Sequence, residues 1–261
     1  MTYRNTQFGL TGRSVLVTGA GVGIGSAVAE AFAMAGAAVL VADANVSAAA
    51  RVAERILMNG GRADYVRLDA RDPAAADAAA ARAARLADGF LHILVNNAGA
   101  TTPAMLSDLT NGASQWMLDV HLVGAFHCSE AARPYLPTDG TGRIINVVPS
   151  ARKGAIDRPN RSRTTTGIIG LTQSLAHDLE QQRVLVNAVA LPAAPPRPKA
   201  IRKNAKFATL MPERNPSPAW TDAEDHAGTF VFLAADAASN LTGQVLPVGD
   251  RTVMNIPEAA Y

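Results

Sequence analysis

The chain of 261 residues has a single cysteine, Cys128, so it cannot close a disulfide within itself, and a reducing cytosolic compartment fits it best. Cys128 lies in an apolar, helix-like run, where a buried and inert thiol is the plain reading. Aromatic residues are scarce at 5%. The core therefore has to come from Ala, Val, Leu and Gly, which suits helices packed closely on a parallel sheet. No apolar run approaches membrane-spanning length, and the opening residues MTYRNTQFG hold no signal-peptide core. A soluble, cytoplasmic protein is expected, with no membrane, nucleic-acid or metal partner. Internal repeats and a convincing domain boundary are absent as well, so residues 1–261 read as one domain.

What the chain does hold is an alternation. SVLVT (14–18), AVLVA (38–42), DYVRL (64–68), HILVN (92–96), RIINVV (143–148), VLVNAVA (184–190) and QVLPV (244–248) read as buried strands. Helical patterns lie between them: SAVAEAFAMAG, SAAARVAERILMNG, an Ala-rich stretch from Pro73 to Ala87, and QWMLDVHLVGAFHCSEAARPYL. Gly36 and Gly60 stand where helix stops belong. Strand and helix in turn imply an α/β fold, a doubly wound parallel sheet with helices on both faces. The tract LPAAPPRPKA (191–200) has too much proline for regular structure, and residues 191–212 are expected to form a substrate or lid loop.

The net charge of +2 conceals an asymmetry. Residues 151–163 carry +4 and residues 197–206 carry +5, which leaves the rest of the chain at −7. Solvated loops are the usual fate of such runs. If the two segments instead converge at one mouth, they would attract an anion such as a CoA thioester, with Arg161 and Arg163 able to grip it in a two-pronged manner.

The first strand runs into Thr18-Gly19-Ala20-Gly21-Val22-Gly23-Ile24-Gly25 and then into a helix. Glycines in that context let the backbone turn tightly and approach a pyrophosphate, which then sits on the helix N-terminus. Asp43 ends the second strand, where its carboxylate can accept both adenosine ribose hydroxyls and would repel a 2′-phosphate. NAD is therefore the expected dinucleotide.

At these residues the chain resembles the short-chain dehydrogenase/reductase family in its classical-type form, over nearly its full length. TGAGVGIG is similar to the family's TGxxxGxG. Leu68-Asp69, followed by Ala70, is similar to the segment that meets the adenine, and Asn96-Asn97-Ala98-Gly99 to the NNAG beside the cofactor. GRIIN (142–146), GIIGLTQSLA (167–176), VNAVA (186–190) and TGQVLPV (242–248) are similar to later family segments. The resemblance implies one Rossmann domain with a seven-stranded parallel sheet. The cofactor contacts it implies are Thr18, Gly19, Gly21, Gly23, Ile24, Gly25, Asp43, Asp69, Ala70, Asn96, Ala98 and Gly99.

The family's catalytic residues do not carry over. Its proton-donating Tyr falls on Arg161 and its Lys, four residues on, falls on Thr165. Its Ser falls on Val148 or Pro149, with Ser150 one step late, and its Asn falls on His121. The nicotinamide-side Pro-Gly and Thr after VNAVA give way to Leu191-Pro192 and Ala193-Ala194-Pro195-Pro196, and Asp-Gly-Gly gives way to Gly249-Asp250-Arg251. A guanidinium cannot exchange protons near neutrality, and an unassisted Thr hydroxyl is a poor acid. His121 is a substitute acid by residue type, though a His packed in a helix pair is commoner. Ser150 with Lys153 is a second, weaker substitute.

Three readings follow from this pattern. The first is a non-catalytic subunit of a hetero- or homo-oligomeric dehydrogenase, docking through the helices around 112–136 and 164–182. Its docking stripe would be Ile168, Ile169, Leu171, Leu175 and Leu179. The second is an atypical NAD-dependent oxidoreductase acting on an alcohol or ketone, such as an acyl-CoA or acyl-carrier thioester. The third is a nucleotide-sensing binding module. Within the opening of the last of these helices, Arg161 to Thr166, Ser162 or Thr164 is the expected cap.

Overall fold

A computed structural model describes residues 8–99, 110–149, 159–191 and 222–248. Its strands are β1 (Ser14–Thr18), β2 (Ala38–Asp43), β3 (Arg62–Arg67), β4 (Ile93–Asn96), β5 (Arg143–Pro149), β6 (Leu185–Leu191) and β7 (Val245–Pro247). They form one seven-stranded sheet in the order β3-β2-β1-β4-β5-β6-β7, every neighbouring pair parallel. The strand residues show why. β1 is buried at all five positions, as a central strand of a covered sheet must be, whereas β3 at the edge reads RADYVR and is mostly open.

Helices α1 (Gly23–Met34), α2 (Val46–Met58) and α7 (Ala223–Ala234) cover one face, meeting the sheet through Phe32, Val52, Ile56 and Phe230. The other face carries α3 (Pro73–Ala84), α5 (Gly124–Ala132) and α6 (Pro159–Asp178). On that face the Ala-rich stretch is a helix for a physical reason. Asp72 caps it by accepting the N–H groups of Ala74 and Ala75, Pro73 fills its first position, and Ala76, Ala79, Ala80 and Ala83 are buried. Short side chains let α3 approach the sheet closely. Gly36 and Gly60, at φ +93° and +80°, end α1 and α2 in the left-handed region that glycine adopts freely.

Two helices differ from the sequence reading. The segment QWMLDVHLVGAFHCSEAARPYL is four pieces, because α4 (Asn111–Leu118), capped by Thr110, passes through a π-helical turn at Asp119–Val123 before α5, and a 3-10 turn at Arg133–Tyr135 follows. Helix α6 begins at Pro159, so Ser162 and Thr164 lie inside it and cap nothing. Proline at the helix start needs no donor, which makes it a natural opening residue. The Thr run is tolerated because its members turn inward or back. Thr164 and Thr165 are buried, and Thr166 donates to the Ser162 carbonyl one turn earlier (2.9 Å).

Candidate functional site

The strand order reverses between β1 and β4, and the crevice outside their carboxyl ends is where such sheets take ligands. The glycine loop occupies that place. Gly19, at φ +62°, lies so close to the next strand's loop that a Cβ would stand 2.8 Å from Ala98 Cα. At Gly25 a Cβ would meet the Gly19 carbonyl oxygen at 2.3 Å and Asn97 Nδ2 at 2.4 Å, so only glycine lets α1 seat against β1. Gly23, at φ +59°, opens α1, and the preceding Val22 supplies no side-chain cap. The first N–H groups of α1 are thereby left for an anion. Ile24 is half-buried beside them.

Asp43 holds this loop. Its Oδ2 accepts the Gly21 N–H (2.9 Å) and its Oδ1 the Asn45 N–H (2.8 Å). Gly21 has no room for a side chain, since a Cβ would stand 2.8 Å from Ala48 Cβ and 2.9 Å from the Asp43 carboxyl. Across the crevice Thr18 Oγ1 accepts the N–H groups of Asn97 (3.0 Å) and Ala98 (2.9 Å), while Asn97 Nδ2 donates to the carbonyls of Thr18 and Gly19. Asp69 is gripped by Arg71 through Nε (3.0 Å) and Nη2, and this hydrogen bond above all holds its carboxyl below the ordinary range. Ala70 is buried against Gly124, whose absent Cβ would stand 2.8 Å from the Ala70 Cβ. These contacts fit the adenosine and pyrophosphate half of a dinucleotide, with Gly19–Gly25 around the phosphates and Asp43 at the ribose. Asn45, Asn97 and Arg71 were not among the expected contacts. The pattern Asp43-x-Asn45, an acid followed two residues on by a helix cap, is the sequence signal that points to the first of them.

Behind the crevice a buried polar chain joins the helices of one face. Asn96 Nδ2 donates to Asn146 Oδ1 (2.9 Å) and to Ser129 Oγ (3.0 Å), and Asn146 Nδ2 donates to Thr172 Oγ1 (2.9 Å). Asn96 thus ties β4 to α5 and β5 and reaches the cofactor edge only through its neighbours.

At β5 and α6, two of the positions where the resemblance would place catalytic residues, Val148 and Thr165, are buried. Val148 is buried in a small cluster with Ile168, Ala188 and Ala190. Pro149 ends β5 opposite Leu191 of β6. Thr165 is buried beside Thr164, one helical turn beyond Arg161, whose side chain is outside the described part. Ser150 and Lys153 are outside it too, as are residues 192–212 of the expected lid, the stretch 197–206 and residues 249–251. Arg163 is in the described part, and its Nη1 donates to Ser114 Oγ (2.7 Å), tying α6 to α4. His121 sits in the π-helical turn, buried, with its ring against Gly99; a Cβ there would lie 2.5 Å from His121 Cε1. The structure therefore brings His121 to the edge of the NNAG turn, and π-turns recur at functional positions.

The apolar stripe of α6 mostly serves its own subunit. Ile168 and Leu179 are buried in the core, and Ile169 and Leu175 pack against it. The exposed face of α6 is instead Thr166, Gly170, Gln173, Ser174 and His177.

Residues 19–250 match the family model described as enoyl-(acyl carrier protein) reductase. A 3-oxoacyl-[acyl-carrier-protein] reductase of Synechocystis is 36% identical over 250 residues, covering 94% of this chain and 98% of the relative. The (2S)-[(R)-hydroxy(phenyl)methyl]succinyl-CoA dehydrogenase subunit BbsD of Thauera aromatica is 30% identical over 240 residues, covering 92% and 96%. A solved short-chain dehydrogenase of Burkholderia cenocepacia, in complex with NADP, superposes with a TM-score of 0.80 at 29% identity, covering 92% and 97%. The glycine crevice, the seven-stranded parallel sheet and these likenesses agree: the chain belongs to the short-chain dehydrogenase/reductase family.

Proposed function

We propose that this chain is an NAD(H)-binding family member that does not carry out the family's proton transfer by itself. In this reading it serves as a non-catalytic subunit of a hetero- or homo-oligomeric short-chain dehydrogenase. The observation that carries this reading is the state of the replaced positions. Val148, one of the two positions (with Pro149) where the resemblance puts the substrate-orienting Ser, is a core side chain, and Thr165, where it puts the Lys, is a short buried hydroxyl. Neither can lower the pKa of a proton donor, and a reduced carbonyl would find no matched acid there. The dinucleotide, when bound, supplies or takes hydride in this family. This chain's residues account for holding it: Gly19–Gly25 around the pyrophosphate, Asp43 at the ribose, Asp69 and Ala70 toward the adenine, and Ala98 and Gly99 along the crevice.

NAD rather than NADP is favoured by Asp43, whose carboxylate at the end of β2 would repel a 2′-phosphate. A docking face is supported by Trp116, Val123 and Phe126, all partly exposed along α4, the π-turn and α5. The name of the Thauera relative as a dehydrogenase subunit agrees with such an assembly. A cytoplasmic location goes with the same reading.

A second reading is favoured by His121, packed on Gly99 within the π-turn: an oxidoreductase with a substitute acid, acting on an acyl-CoA or acyl-carrier thioester. The strands leading into the two basic segments end side by side at Pro149 and Leu191, which favours a shared anion-attracting mouth. A third reading, a nucleotide sensor, predicts only ligand-dependent association.

One purification with an NADH assay separates the three. The subunit reading expects no turnover of ketones or acetoacetyl thioesters by the chain alone, and co-elution with an intact homologue from its own cells. Turnover by the lone chain that disappears in His121→Ala replaces it with the second reading. Calorimetry with NADH and NADPH tests the cofactor, and tighter NADPH binding overturns the choice of NAD.

A further inference from the structure

The opposite, amino-terminal edge of the sheet holds an arginine with unused capacity. Arg143 opens β5 and is only 1% exposed. Its Nη1 donates to the carbonyls of Gly140 (2.7 Å) and Gly142 (2.9 Å). Its Nε and Nη2 are buried and have no hydrogen-bond partner among the described residues. Those two nitrogens form one edge of the guanidinium, a fork matched to two oxygens of one carboxylate. The chain uses that same edge elsewhere. Arg71 grips Asp69 and Arg82 grips Asp64 through Nε and Nη2, and Arg55 gives both to Glu30.

The nearby carboxylates are engaged elsewhere. Asp139 Oδ1 accepts from the Thr141 N–H (2.9 Å) and hydroxyl (2.6 Å), and Asp236 Oδ1 accepts from Arg13 Nη2 (2.6 Å). The remaining neighbours add positive charge. Arg13 acts on both Arg143 and His92, and the Arg183 guanidinium lies against Gly140, where a Cβ would meet its Nη2 at 3.2 Å. Asp236 and Asp139 act on Arg143 through their charge but make no hydrogen bond to its free edge among the described residues; a buried guanidinium is costly to desolvate, and each unmade hydrogen bond adds to that cost. Burial, with the charge of Arg13 behind it, lowers the Arg143 pKa to about 10, so the group stays cationic at neutral pH.

We propose that the free Nε–Nη2 edge of Arg143 is a binding site for a small oxyanion, a carboxylate or phosphate group, at the sheet end remote from the nucleotide crevice. The nearest parts that could move to admit it are turns rather than strands: the Pro137–Gly142 loop, whose Gly140 and Gly142 carbonyls take Nη1, and the exposed Arg183 against Gly140. The site is independent of the proposed function and stands or falls apart from it.

The probe is sodium formate, the smallest carboxylate, titrated against sodium chloride at equal ionic strength while the thermal midpoint of the wild-type chain is followed. A saturable rise of about 2–4 °C in formate beyond chloride is expected. Arg143→Lys, which keeps the charge and loses the fork, abolishes it, and Arg183→Asn, on an exposed wall, raises the half-saturating concentration severalfold. If Arg143→Lys does not fold, a formate-soaked crystal structure of the wild type decides instead, through density spanning Nε and Nη2. A lone water at that edge, equal midpoints in the two salts, or a rise that survives Arg143→Lys overturns the proposal.

Discussion

Two halves of one sheet edge face the same ligand space and are built on different terms. At β1, β2 and β4 the contacts are made by the backbone: Gly21 and Asn45 N–H groups on Asp43, Ala98 and Asn97 N–H groups on Thr18, and a Gly25 that admits no Cβ. At β5 and α6 the described residues Val148 and Thr165 are instead buried side chains, and Val148 fills a small core with Ile168. A binding half made of chain geometry resists substitution, because each change there disturbs the fold. A chemical half made of individual side chains can be replaced residue by residue while the sheet remains intact.

The largest effect that would break this comparison is at Gly25. Gly25→Ala forces a methyl onto two fixed neighbours and should cost about 3 kcal/mol or more in chemical denaturation, at the upper end for overpacking. A loss below about 1 kcal/mol would mean that the loop gives way easily and that binding there is not fixed by the fold. Next comes the buried chain behind the crevice. Asn146→Ala leaves Asn96 and Thr172 each short of a partner and should cost about 2 kcal/mol by the same measurement, whereas Thr172→Val should cost less.

Asp43→Ala sharpens the comparison at the ligand level. It should weaken NADH about tenfold or more in calorimetry, equivalent to about 1.4 kcal/mol, and narrow the gap to NADPH. His121→Asn, by contrast, should leave NADH affinity within about twofold, since a rotor change beside Gly99 removes no contact to the adenosine half.

The smallest expected effect lies away from the site, at the edge strand. The hydrogen bond from Arg82 keeps the Asp64 carboxyl below its ordinary value. A depressed carboxyl contributes stability that is present above the unfolded value near 3.8 and is lost as pH falls through the native one. Both partners are partly exposed, so the contribution is at most about 1 kcal/mol. Asp64→Asn should flatten the acid-side decline of stability by that amount and leave NADH binding unchanged.

The strands were legible because a covered parallel sheet demands unbroken β-branched runs, and β1 spans the five residues of SVLVT. The glycine crevice was legible because few residue types can turn a strand into a helix around a phosphate. The π-turn at Asp119–Val123 was not, since its residues have ordinary helical character and only the packing of His121 on Gly99 and Leu122 on Gly167 marks the place. The hydroxyls at the opening of α6 suggest a cap, but proline opens the helix three residues before Ser162, Thr164 and Thr165 are buried, and Thr166 bonds back to the Ser162 carbonyl. Of its Ile and Leu stripe, Ile168 and Leu179 are buried in the subunit's own core, while Ile169, Leu171 and Leu175 are half-buried.

The sequence by itself determined the order of strands and helices and the glycine loop with its acid partner, because each of these depends on residue type at short range. Only the tertiary structure decided which side chains are free. Val148 and Thr165 are buried, Asn96 ties two strands and a helix together, and Arg143 keeps a buried fork without a hydrogen-bond partner among the described residues. Burial and hydrogen-bond satisfaction depend on residues distant in the chain meeting at one place, and no local pattern encodes that meeting.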